Sequence, residues 1–248
     1  MSKVDITAII NLHNEGMLAH SSFLSLARAK AFVERLGLQV EVIGVLDNPT
    51  DETVAYVREC KILDIIPVRV SHGDAGLARN SGIQAARGEW IGFLDGDDLW
   101  AENWLAAAYT MGAKDTRPII FHPQVNVFFG LHNFILVHVD MEDEDFELSV
   151  LAMANHWTAL SFSKRQLYLS VPYRAADPKR QIGHEDWGWN LETILNGYIH
   201  KTVPGTVHAI RSRGDSRVHQ TTARNAMPSP TNLFRNLILE NSAKGVQT

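Results

Sequence analysis

The 248-residue chain holds a single cysteine, Cys60, so it forms no intrachain disulfide and offers no cysteine-built zinc or iron–sulfur site. It also lacks an excess of positive charge: 23 Lys and Arg stand against 28 Asp and Glu, a formal charge of −5. A basic surface for nucleic acid is therefore not expected, and no nucleic-acid partner is assigned. Long apolar runs are missing as well. The longest apolar region, Ile119 to Val139, is broken by His122, Gln124, Asn126, His132, Asn133 and His138, too polar to cross a bilayer. The opening apolar stretch is cut by Asn11, His13, Asn14 and Glu15 and lacks the form of a secretion signal. The expected location is the cytoplasm, with the inner face of the membrane left open. Repeats, low-complexity tracts and Gly/Ser linkers are absent. What remains is ordinary globular composition, 45% hydrophobic and 21% charged.

Within that composition the first hundred residues alternate in period. Asp5–Leu12, Val40–Leu46, Ile66–Val70 and Glu89–Leu94 read as strands. Between them, helices are expected from Ser21 or Ser22 as N-cap to Leu36, over Thr50–Glu59, and over Leu77–Ala86. Repeated βα units argue for a mostly parallel sheet, with ligands beyond the carboxyl ends of its strands. Leu12–Glu15, Asp47–Asp51 and Asp95–Asp98 each follow a strand and so share that rim. The second half is less regular, with strand-like stretches at Ile119–Phe129, Phe134–Val139 and Thr158–Ser163 and a helix from Glu185 to Gly197. No sharp boundary separates the halves. One α/β domain is expected over residues 1–248.

Chemistry concentrates at the end of the fourth strand, Trp90-Ile91-Gly92-Phe93-Leu94-Asp95-Gly96-Asp97-Asp98. Three carboxylates on one turn repel unless a cation or hydrogen-bond donors compensate. Mg²⁺ and similar hard ions take one or two carboxylates plus substrate phosphates, so the turn reads as a metal–diphosphate clamp. A solvated Asp-Gly turn is the plainer alternative.

The segment Gly73 to Asp95, with Ala78-Arg79-Asn80, the small-residue helix and Leu94-Asp95-Gly96-Asp97-Asp98, resembles the family 2 glycosyltransferases of the GT-A fold. Ile9 to Glu15, Leu46 to Thr53, and Gly183-His184-Glu185-Asp186-Trp187-Gly188-Trp189 with Gly197-Tyr198 are similar to that family's other motifs, in the same order. The sequence departs from the family at Asn11, where Pro is usual, at His13, where Tyr is usual, and in having Asp47 alone after the second strand.

The resemblance implies a GT-A sheet with a nucleotide-binding half (1–100), an acceptor half (101–220) and a C-terminal tail (221–248). It implies a metal-dependent inverting transfer from a nucleotide-diphospho-sugar, UDP-linked, to a hydroxyl on a saccharide or lipid-linked acceptor. By position, Leu12, Asn14, Glu15, Asp47, Arg79, Asp95 and Arg211 fall to the donor, with Asp47 on the base. Asp97 falls to Mn²⁺ or Mg²⁺ with His208 as a further ligand, Asp98 supports the turn, and Asp186 is the base with Glu185 beside it.

Each assignment has a plainer alternative: an Asx turn at Asp47, a surface ion pair for Arg79, a structural role for His208, helix-dipole stabilisation by Glu185 and Asp186. Thr206 to Ser216, with Arg211 and Arg213, is read as a lid over the diphosphate. Trp157, Trp187, Trp189 and His156 are candidates for a sugar platform or for core. The tail Asn232–Glu240 is an amphipathic helix expected to dock on the domain, with a peripheral membrane contact and a homo-oligomer left open. The rivals are a sugar-1-phosphate nucleotidyltransferase, which would need a Gly-rich basic loop after the first strand, and a non-catalytic nucleotide-sugar or glycan binding module.

Overall fold

The computed structural model describes residues 3–214 and 221–236. Its elements run β1 (Ile6–Leu12), α1 (Ala19–Glu34), β2 (Val40–Asp47), α2 (Asp51–Glu59), β3 (Ile65–Val70), α3 (Ala75–Ala85), β4 (Trp90–Asp95), β5 (Leu99–Trp100), α4 (Trp104–Gly112), β6 (Ile119–Gly130), β7 (Phe134–Val137), β8 (Phe162–Lys164), α5 (Arg165–Ser170), α6 (Glu185–Leu195) and β9 (Ile199–Ser212). One sheet takes them in the order β3-β2-β1-β4-β8-β6-β9-β5, with β7 paired to β6. The first four strands are parallel, as short βα units require. Beyond β4 the sheet is mixed: β8 runs antiparallel to β4 and β6, while β6 and β9 are parallel.

Both faces of the parallel region are covered, which is why its strands are nearly continuous apolar runs. On one face Ile6, Ala8 and Ile10 of β1 join Phe23, Leu26 and Val33 of α1 and Trp104 of α4. On the other, Ile9, Ile43, Val45, Ile91 and Phe93 meet Ala78 and Ile83 of α3, Tyr168 of α5 and Trp189 of α6. The period-two split of β1 thus assigns each side chain to a layer.

Three expectations change. Helix α1 begins at Ala19, before Ser21, and Ser22 is not a cap: its buried hydroxyl donates to the Gly96 carbonyl at 2.9 Å, tying the helix to the acidic turn. A short 3₁₀ turn, Gly16–Leu18, leads into the helix, made possible by φ of +50° at Gly16. The stretch at Thr158–Ser163 is strand only from Phe162. Most of the region read as a lid, Thr206–Ser212, is the second half of β9, paired along β6 and, at His208 and Ala209, with β5. The register slips where Pro204 and Gly205 interrupt β9, and that interruption hides the strand from a reading of periodicity. Asp215 and Ser216 lie outside the described residues, as does the tail from 237. The tail up to 236 docks as expected: Leu233 is buried with Leu151, Trp157 and Leu191, and Phe234 packs beside them.

Candidate active site

The acidic turn stands where β1 and β4 end side by side. Gly96 permits this approach, since a Cβ there would lie 2.7 Å from Leu12 Cδ2 and 2.9 Å from the Asn11 carbonyl. Asp95 accepts from Asn11 Nδ2 at 3.1 Å and from Arg79 Nη2 at 3.2 Å. Asp97 pairs with Arg213 at 3.0 Å. Its carboxyl is pushed up to about 6 by burial and by the nearby Asp95 and Glu15, with Arg213 pulling the other way. Asp98 is buried and accepts from the Arg211 backbone N–H at 2.7 Å, which ties the turn to β9. Burial, then Asp97 and Asp95, raise Asp98 well above the usual carboxylate range, so it is a structural acid of the turn.

Arg79 faces inward from the first turns of α3, which Asp74 caps by accepting from Leu77 N–H. It is 2% exposed and binds two acids from distant parts of the chain, Asp95 and, at 2.9 Å, Glu185 Oε1. Burial alone would lower its pKa, but these two carboxylates raise it, and the guanidinium also sits 5.6 Å from the Tyr173 ring centre. In this structure the residue is not a surface ion pair but a buried link between the turn and α6.

Helix α6 starts from His184 in the left-handed region, and its first-turn acids Glu185 and Asp186 turn to Arg79 and Asn155. Glu185 is engaged by Arg79. Asp186 is half-buried, and its carboxyl rises to about 7 because protein atoms crowd it and Glu185 repels its charge; Arg79 and the helix N–H groups oppose the rise. Asn155, which no motif flagged, donates to Asp186 Oδ2 at 3.2 Å.

The remaining expected residues divide. Asn14 is exposed on the rim, and Glu15 lies close enough to Asp97 to raise its carboxyl. Leu12 is buried beneath Gly96. Asp47 is 5% exposed and accepts three backbone N–H groups, from His72, Gly73 and Asp74 at 2.7–3.0 Å, so it staples the glycine loop ahead of α3. His13, standing where an aromatic was expected, lies against it through a 2.7 Å contact to the Asp47 carbonyl. Arg211 spans the Phe129 ring and the Asp97 carbonyl.

Two expectations are corrected. His208 is fully buried with its ring 4.6 Å from that of Trp104, and burial drives its pKa far down. His208 thus packs as a core residue in this structure, and among the described residues no group of three His, Cys, Asp or Glu is arranged to hold a metal ion. Trp157 and Trp189, at 1% and 4% exposure, are core as well, while Trp187 is half-buried and donates to the Leu151 carbonyl. Asn155 and Tyr173 left no signal in the sequence, because each acts through a loop whose path only the fold sets.

Comparison with known proteins agrees with this geometry. A glucosyltransferase of Escherichia coli, UDP-Glc:alpha-D-GlcNAc-diphosphoundecaprenol beta-1,3-glucosyltransferase WfaP, is 31% identical over 99 residues, 39% of this chain and 35% of that protein. The poly(ribitol-phosphate) beta-N-acetylglucosaminyltransferase TarP of Staphylococcus aureus is 25% identical over 121 residues, 48% of this chain and 36% of that one. The matches thus span about a third of the length of these relatives. Among solved structures, S. aureus TarS in complex with UDP-GlcNAc superposes with a TM-score of 0.61 at 17% identity, over 94% of this chain and 64% of that one. The mannosyltransferase PcManGT of Pyrobaculum calidifontis, in complex with GDP-Man and Mn²⁺, gives 0.61 at 18% identity, over 93% and 67%. These two establish the fold, α/β with GT-A-like neighbours. The family model for glycosyl transferase family 2 matches residues 7–140, more than half of the sequence and the whole of the acidic turn: the chain belongs to that family.

Proposed function

We propose that the protein is an inverting, metal-dependent glycosyltransferase that moves a hexose or N-acetylhexosamine from a UDP-linked donor to a hydroxyl of a saccharide or lipid-linked acceptor, in polysaccharide or teichoic-acid-type assembly. The observation that carries this reading is the pair of acidic groups, Asp95–Asp98 and Glu185–Asp186, brought together by one buried guanidinium, Arg79, which bonds Asp95 and Glu185. UDP is favoured because UDP-glucose is named in WfaP and UDP-GlcNAc in the TarS complex.

The donor set suits a hard divalent cation: Asp97, with Asp95 and Glu15 close by, gives oxygen ligands that Arg213 and Arg79 meet here, leaving the rest of the coordination to phosphate oxygens and water. Mn²⁺ or Mg²⁺ held there would neutralise charge on the departing diphosphate. Asp97 would hold it, and Arg213, which pairs with Asp97 here, is placed to pass to a phosphate oxygen. Asp186 takes the proton from the acceptor hydroxyl as that oxygen attacks the anomeric carbon. The new glycosidic bond forms as the bond to the diphosphate breaks, and a single in-line displacement inverts the centre. With its carboxyl near 7, Asp186 is well matched to a base at neutral pH. Glu185, neutralised by Arg79, positions the helix start without competing for the proton.

The test is steady-state UDP release from UDP-GlcNAc and from UDP-glucose with Mn²⁺. Wild-type protein is expected to turn over one of them, and Asp186→Asn to fall by roughly 10²–10⁴-fold, the usual worth of a positioned base. Binding of nucleotide with no release by the wild type would overturn the enzymatic reading in favour of a binding module.

A further inference from the structure

The reading of Asp186 as the base leaves open what fixes its carboxylate. Helix α6 supplies the group but not its rotamer, and the cation of the site, Arg79, is already committed to Glu185 and Asp95. The group that reaches Asp186 directly is an amide from an irregular loop. Asn155 Nδ2 lies 3.2 Å from Asp186 Oδ2.

That amide cannot turn freely. Its Oδ1 accepts from Asn190 Nδ2 at 3.0 Å and faces the Trp157 backbone N–H at 3.4 Å, so the nitrogen must face the acid. Asn190 is 1% exposed and sits four residues beyond Asp186, on the same face of α6. Trp157 pins the loop from below: it is 1% exposed, donates from Nε1 to the Val139 carbonyl at 2.8 Å, and stacks on His200 at 4.2 Å. One chain of contacts therefore runs from the core, through Trp157 and Asn190, to Asn155 and the carboxylate.

We infer that Asn155 is a positioning residue for the transfer: it orients Asp186 by donating to Oδ2 and leaves Oδ1 free for the acceptor hydroxyl. The inference rests on the reading of Asp186 as base. Chemically, a neutral donor suits this place. An ammonium or guanidinium would bind the carboxylate too tightly for it to take up a proton, whereas an amide N–H holds it without adding charge. The other ionisable groups acting on Asp186 are Glu185 on its own helix, Arg79 from α3 and the Tyr173 phenol. The nearby imidazoles turn elsewhere, His156 onto Phe146 and Trp157 and His184 onto Trp187.

Asn155→Asp isolates the donor. The new side chain is the same shape and still accepts from Asn190 and Trp157, so a purely structural role survives, but it turns an acceptor toward Asp186. Asn155→Ala removes the donor with less bulk and no charge. In carboxyl-¹³C-labelled protein, with the Asp186 signal assigned by its loss in Asp186→Asn, the Asp186 titration is expected to move upward by about one unit in Asn155→Ala and further in Asn155→Asp, where a new charge adds to the loss of the donor. UDP release from the donor the wild type uses should fall about 10-fold or more in kcat for both variants, with KM for the donor unchanged. Folded Asn155→Asp protein with an unmoved titration and wild-type kcat would overturn the inference while leaving the base intact. Wild-type turnover by Asp186→Asn would overturn the base reading itself, and the positioning role with it.

Discussion

The acidic turn after β4 and the acidic start of α6 are chemically alike and held in different ways. In the turn, two of three carboxylates are met by guanidinium groups, Asp95 by Arg79 and Asp97 by Arg213, and the third is buried on a backbone N–H. At α6, Glu185 takes the guanidinium, and Asp186 receives the Asn155 amide and backbone N–H groups of the helix start. Burial and the nearby Asp95 and Glu15 carry Asp97 up to about 6, against the pull of Arg213. Burial and Glu185 carry Asp186 up to about 7, against Arg79 and the helix N–H groups. The proposed division, charge binding at the turn and proton transfer at α6, is joined through Arg79, which bonds Asp95 and Glu185.

The largest expected effect breaks this contrast from both ends. Asp97→Ala and Asp186→Asn should each remove all but roughly 10⁻²–10⁻⁴ of turnover, but for opposite reasons. In Asp97→Ala raised Mn²⁺ should recover part of the rate, and in Asp186→Asn no metal concentration should. Metal titration of UDP release distinguishes them.

Removing the link comes next. Arg79→Met leaves Glu185 and Asp95 facing each other without their shared cation, and loss of one partner from a buried pair costs about 3–5 kcal/mol. The low end of that range is expected because Asp95 is 35% exposed. Arg79→Lys should recover little, since a single ammonium cannot span both acids. Denaturant midpoints measure both.

A smaller effect sharpens the assignment of the proton. With Asp186 near 7 in the folded protein and near the ordinary 3.8 when unfolded, the native state binds the extra proton between those values. Stability contributed by this group is therefore present below about pH 4 and is lost as pH rises through 7, by on the order of 1 kcal/mol or more. Asp186→Asn should abolish that slope and exceed wild-type stability at pH 8. Turnover should run the other way, falling as pH drops below about 7.

Much of this was legible from sequence and part was not, for physical reasons. The parallel half could be read because β1, β2 and β4 are buried on both faces and each acidic rim follows its strand directly, so Asp47, Asp95 and Asp97 declared their end of the sheet. Arg79 was legible as a site residue but not in its role, since its two partners lie 16 and 106 positions away. Strand β9 was hidden by Pro204 and Gly205, which is why a segment expected to close as a lid turned out to be sheet. Asn155 carries no motif, because its contact with Asp186 depends on a loop that the buried Trp157 and Asn190 hold in place.

His208 supplies the smallest expected effect. Both of its ring nitrogens are buried without a hydrogen-bond partner, so His208→Leu should change stability by less than about 1.5 kcal/mol and leave Mn²⁺ affinity as it is. A large loss of Mn²⁺ binding in that variant would return the residue to the metal.

The division of labour is tested most directly by titration calorimetry of UDP, with and without Mn²⁺, on wild type, Asp97→Ala and Asp186→Asn. The account predicts metal-dependent binding by the wild type, its loss in Asp97→Ala and its retention in Asp186→Asn. Equal loss in both variants, or metal-dependent binding that survives Asp97→Ala, would contradict it.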